Sequence, residues 1–195
     1  MTRFVDRGAI TAAYVGVGMA VTIAISFLLI IPIEPIFWLL SLPTGLLIGY
    51  YANQRSNRRA GPWGRILVNG IFAALVTGVT AAVLLLGVKV LFFYGDNGYR
   101  DQSAGGPITC SSGAECVYRR YVIVDNGGRV AALEAAGVTD AASFTSFYWT
   151  QQFTVAGLIV AVTTVGGLGG AFLYGVFRPK PAPPTGTQER VTTAT

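Results

Sequence analysis

Histidine is absent from this sequence, methionine occurs only at Met1 and Met19, and cysteine only at Cys110 and Cys116. Haem, copper, zinc and iron–sulfur centres are built from those side chains, so no usual ligand set exists and no metal or other cofactor is expected. Charge is scarce as well. Only 12% of the residues are charged against 52% apolar, and the mean hydropathy is +0.55. A soluble domain carries about twice that share of charge, so the composition is that of a membrane protein. With about 20 apolar residues needed per span, 195 residues hold four helices and one modest extramembrane segment. A large soluble catalytic domain is excluded.

Serine-hydrolase, zinc-protease, Walker and dinucleotide glycine patterns are all missing, and the glycine pairs fall in apolar runs or turns. Asp96 and Asp101 stand in a turn-rich stretch with no nucleophile or oxyanion donor near them. Catalysis is therefore not expected.

Four charge-free stretches are present: Gly8 to Ile33, Pro35 to Gln54, Ile66 to Val88, and Ala141 to Phe177. They predict transmembrane helices over about 8–31, 35–54, 66–94 and 147–177, the last with a polar, aromatic lead-in. The first run is too long for the apolar part of a secretory signal and should remain as an anchor. Pro32 and Pro35, bracketing Glu34, make the first connection a short turn.

Orientation follows from the arginines and lysines, which are retained on the cytoplasmic side of short loops. Arg3 and Arg7, then Arg55, Arg58, Arg59 and Arg65, then Arg178, Lys180 and Arg190 fall on one side of a four-span chain. Both termini are then expected in the cytoplasm, with residues 95–146 extracytoplasmic. The domain division that follows is 1–94 (tail and three spans), 95–146 (outer segment), 147–177 (fourth span) and 178–195 (a Pro-rich cytoplasmic tail). The formal charge of +5 fits a basic rim beside anionic headgroups. The bilayer is thus an expected partner and nucleic acid is not.

Small residues recur every four positions. The first span offers Gly8, Ala12, Gly16, Ala20 and Ala24, and the second Gly45 and Gly49. The third offers Gly70, Ala74, Gly78 and Ala82, and the fourth Thr163, Gly167, Ala171 and Gly175 beside Gly166 and Gly170. In lipid such rows let backbones approach closely, which supplies the van der Waals contact that holds helices together. They serve either the protein's own bundle or docking to another membrane subunit.

Ionisable groups at depth mark proton and ion paths, and the spans hold almost none. Ser41, Asn69, Thr77, Thr80, Thr163 and Thr164 are neutral and suit helix-to-helix or own-backbone bonding. Pro43 beside Gly45 marks a site for a kink. Lys89 lies near the outer end of the third span, followed by the aromatic run Phe92, Phe93 and Tyr94. Snorkelling is its simplest role, and contact with a lipid or partner its functional one. Trp149, Gln151 and Gln152 suit the same interface.

In the outer segment, Cys110 and Cys116 enclose SSGAE, and a disulfide staple is favoured over a redox pair because the CxxC spacing is missing. VYRRYVIV, ending at DNGG, predicts a strand and a short hairpin. Arg129 to Ala136 predicts a short helix closed by Gly137, with Thr139 or Asp140 capping the next. The fold class expected is an all-α integral membrane protein: four spans packed through small-residue faces, with a disulfide-stapled outer segment of hairpin and short helices. The function expected is a non-catalytic accessory or scaffold subunit of a larger membrane complex, touching other membrane subunits through glycine/alanine faces and the outer segment. The alternative is a homo-oligomeric transport or lipid-handling component.

Overall fold

The computed structural model describes residues 5–29, 34–56, 61–95, 112–123 and 128–178. Cys110, the DNG turn residues and the tail beyond Arg178 lie outside these. Among the described residues six α-helices follow one another: α1 (Arg7–Leu29), α2 (Glu34–Gln54), α3 (Trp63–Gly95), α4 (Ala114–Ile123), α5 (Gly128–Ala135) and α6 (Ala141–Phe177). Among the described residues there is no strand.

α1, α2, α3 and the C-terminal part of α6 form an up-down-up-down bundle. Gly8 of α1 approaches Arg55 and Ser56 beyond the end of α2, whereas Gly16 approaches Thr77 of α3, so α1 runs against α2 and alongside α3. α6 packs against both α2 and α3. Three helices among the described residues are long and apolar enough to cross a membrane: Arg7–Ile25, Trp63–Gly95 and Ala141–Phe177. α2 has its first six side chains outside the described set.

The bundle is inside-out relative to a soluble core. Its seams are made of Gly70, Ala73, Ala74, Thr77 and Gly78 from α3 and of Thr163, Gly166, Gly167, Gly170 and Ala171 from α6. Bulky side chains such as Leu47, Val83, Val165, Phe172 and Val176 point outward. Exposed apolar surface on this scale suits contact with hydrocarbon. Three helices of this length and apolarity support a membrane location.

α3 and α6 run antiparallel in a fixed register. Gly70 sits against Ala171, Gly78 against Thr163, and the Phe93 ring 5.0 Å from that of Tyr148. With 33 and 37 residues they are about 50 and 55 Å long, well beyond a hydrocarbon core of about 30 Å. Their protruding ends carry α4 and α5.

VYRRYVIV therefore does not form a strand, and the expected hairpin is replaced by α4. Val117, Tyr118, Tyr121 and Val122, with Ala114, recur at helical spacing and pack on the cluster of Phe93, Leu133, Val138, Phe144 and Tyr148. An apolar wall presented by α3 and α6 rewards one helical face, whereas the β-propensity of these residues has no neighbouring strand to pair with. Gly113, at φ +112°, makes the sharp entry to α4 and donates its amide to the Phe93 carbonyl at 3.0 Å.

α5 ends as its sequence suggests. Gly137 adopts φ +75°; its N–H donates to the Glu134 carbonyl and that of Val138 to Leu133, both at 2.9 Å, and Val138 and Leu133 are buried together. Of the two capping residues named for the next helix, Asp140 does the work. Its carboxylate accepts from the Ser143 N–H at 2.7 Å, and the Ser143 hydroxyl accepts from the Asp140 N–H at 3.2 Å. The helix so started runs unbroken through the aromatic lead-in into the apolar run.

Candidate functional site

Three regions concentrate the residues singled out from the sequence: the glycine seams, the aromatic end that carries α4 and α5, and the arginine-bearing opposite end. In the seams, a Cβ on Gly45 would meet the Thr163 carbonyl and one on Gly49 that of Gly167. On Gly166 and Gly170 it would meet the carbonyls of Leu42 and Leu46. Gly167 is equally tight against Ala74, and Gly70 against Ala171; Gly175 receives the Trp63 ring. Ala12 and Ala20 are buried as well. These small residues are occupied within the chain. Gly18, Gly64, Gly87, Gly157 and Gly169 instead have open space beside them.

At the aromatic end, Phe93, Tyr94, Tyr148 and Trp149 share ring contacts between 4.8 and 6.2 Å, extended by Tyr118, Tyr121 and the fully buried Phe144. The α3–α6 register sets Lys89, which is half-buried, level with Gln152. The paired glutamines separate: Gln151 faces out and Gln152 is buried, while Trp149 is half-buried among the aromatic rings. The polar layer at Lys89 and Gln152 lies one turn below the aromatic rings, as expected where hydrocarbon gives way to headgroups. Cys116 is buried on α4.

The opposite end gathers Arg7, Arg55, Arg65 and Arg178, since α1 and α3 begin there and α2 and α6 end there. A polar network beneath them ties the helices together. Ser56 Oγ donates to the Asp6 carboxylate, the Asp6 N–H to Asn69 Oδ1 at 3.3 Å, and Asn53 Nδ2 to the Gly49 and Ile66 carbonyls at 3.0 Å each. Arg178 Nη1 closes the end by donating to the Gly61 carbonyl at 2.7 Å. Asp6, Asn53, Ser56 and the Arg178 contact were not singled out by the sequence reading. Asp6 alone left a signal there, an acidic residue immediately before an apolar helical run, which is an N-cap position. The other three depend on residues 13 to 117 positions away.

Of the neutral polar residues in the spans, Asn69 joins α3 to Asp6, the residue just before α1. The hydroxyls of Thr77, Thr80 and Thr164 donate to carbonyls one turn back in their own helices. Every buried polar side chain among the described residues is neutral. No family model, curated protein or solved structure matches the chain.

Proposed function

We propose that the chain is a four-span accessory or scaffold subunit of a larger membrane complex, without chemistry of its own, and that its partner contact is the outer helical cap. The observation that carries this reading is the bundle interior. Its buried polar side chains among the described residues are neutral, and seam glycines such as Gly45, Gly49, Gly166 and Gly170 sit against neighbouring backbone, which leaves no charged group for a coupled solute path. Elaboration is confined to the cap, where α4 and α5 stand on helix ends that extend past the hydrocarbon. With the glycine faces used internally, the exposed Glu115, Arg119 and Glu134 offer the cap's contact surface.

In this proposal α2 is the fourth span, the arginine-bearing end and both termini are cytoplasmic, and residues 95–146 are extracytoplasmic. Gathering Arg7, Arg55, Arg65 and Arg178 at one end supports that orientation. Cys110 and Cys116 are joined as a staple in this proposal, with Cys116, the described member of the pair, buried on α4. Purification in mild detergent tests the reading. A stoichiometric membrane partner that is lost on Arg119→Glu, with the bundle still folded, is expected. A monodisperse homo-oligomer that moves solute in liposomes would replace it with the transport reading.

A further inference from the structure

Ten threonines lie in the described helices, and eight of them treat their hydroxyls alike. Thr11, Thr22, Thr77, Thr80, Thr145, Thr150, Thr154 and Thr164 each donate to the carbonyl one turn back, at 2.7 to 3.0 Å. That bond satisfies a hydroxyl wherever no better partner exists. Thr44 of α2 and Thr163 of α6 depart from the pattern, although they are only 8% and 2% exposed. Neither hydroxyl has a partner among the described residues. A hydroxyl without a partner at this depth in a helix bundle calls for an explanation from its surroundings.

Both residues line the same cavity, which is partly open and mostly apolar in its walls. It lies between α1, α2, α3 and α6, with walls that include Ala20, Leu40, Leu85 and Ile159, and it also receives Ser41 and Thr77. Its volume is about 20 Å³, counted as room for the centre of a water molecule. One water needs about 10–15 Å³ on that measure and two to four polar partners. Thr44 and Thr163 each supply a donor and an acceptor, and Thr77 Oγ1, whose proton goes to the Ala73 carbonyl, keeps lone pairs to accept. Thr163 faces Gly78, about 22 Å along α3 from Trp63 and about 16 Å from Lys89, which places the cavity near the middle of the span.

We propose that this cavity is the binding site of a single structural water that bridges Thr44 and Thr163 and so pins α2 to α6 at mid-membrane depth. The assignment is independent of the accessory-subunit reading. In hydrocarbon no solvent can replace a missing partner, and a bound water serves two otherwise unsatisfied hydroxyls at once.

The test uses the full chain in detergent and the nearly isosteric variants T44V, T163V and T44V/T163V, with T164V as the control whose hydroxyl closes on Val160. Each single variant is expected to lower the thermal midpoint by a few degrees. The double should fall no further than one single, because one water serves both hydroxyls, and T164V should stay near wild type. Singles that leave the midpoint unchanged or raise it would overturn the proposal, since removing a dry, unpaired hydroxyl relieves a cost. Additive losses in the double would overturn it too. Radiolytic hydroxyl-radical footprinting gives a readout independent of stability. The Ile159–Thr163 segment should be labelled despite its burial, and several-fold less in T163V; absence of labelling there, as for a crevice filled by a lipid chain, would refute the water.

Discussion

A methyl group on Gly49 would collide with the carbonyl oxygen of Gly167, so the α2 and α6 backbones meet with no side chain between them. The obstacle is backbone, which cannot swing aside as a flexible side chain can. Gly49→Ala and Gly170→Ala should therefore each destabilise the bundle by about 1–3 kcal/mol, as overpacking does. Gly157→Ala, with open space beside it, should be neutral or stabilising by up to about 1 kcal/mol, because alanine favours helix. Thermal unfolding in detergent, followed by helical circular dichroism, separates the two classes.

The Asp6 carboxylate accepts from Ser56, fifty residues away, while its own amide donates to Asn69. Ser56→Ala should cost about 1–3 kcal/mol by leaving a partly buried carboxylate short of a donor. A double-mutant cycle of Ser56→Ala with Asp6→Asn should show coupling, whereas Arg65→Ala with Asp6→Asn should be additive.

Asp140 is exposed, and the Ser143 N–H donating to its carboxylate, helped by the Ser143 hydroxyl, holds its pKa below the ordinary 3.8. A depressed carboxylate stabilises the fold fully above its unfolded value. That contribution fades as pH falls below about 3.8 and is gone once the folded value is passed. Amide exchange across Ala141 to Thr145 should therefore quicken below that pH in the wild type. In Asp140→Ala it should already be fast at neutral pH and change less on acidification.

For topology, a cysteine at Arg55 should be shielded from impermeant reagents in intact cells, and one at Glu134 labelled. Both side chains are exposed, whereas the neighbouring Ser56 is buried against Asp6 and would report burial instead of sidedness. Labelling of position 55 from outside, with position 134 shielded, would reverse the proposed orientation.

Replacing both Cys110 and Cys116 by serine should leave the bundle inserted and extractable. Even a ring of 15 residues is worth only about 3 kcal/mol in the chain-entropy model, and this one is shorter. Faster proteolysis of the outer segment with unchanged protection of the spans is the expected result. Two free thiols in protein purified without reductant would remove the staple.

The sequence by itself determined the solvent and the building material. Long charge-free runs require helices, because backbone amides in hydrocarbon must be satisfied within the segment, and rows of glycine and alanine permit close packing. Gly137 was legible as a helix end because only glycine takes a positive φ without strain. Tertiary structure decided the rest. VYRRYVIV carries strand-forming residues, yet Val117, Tyr118, Tyr121 and Val122 also fit one helical face, and the wall of Phe93, Phe144 and Tyr148 chose the helix. Nothing local distinguishes Gly167, pressed between Ala74 and Gly49, from Gly169, which meets nothing. Nor does anything near Thr163 show that its hydroxyl, unlike that of Thr164, leaves its own helix unbonded. Those outcomes depend on which faces the four long helices turn toward one another, and that is fixed by contacts between residues far apart in the chain.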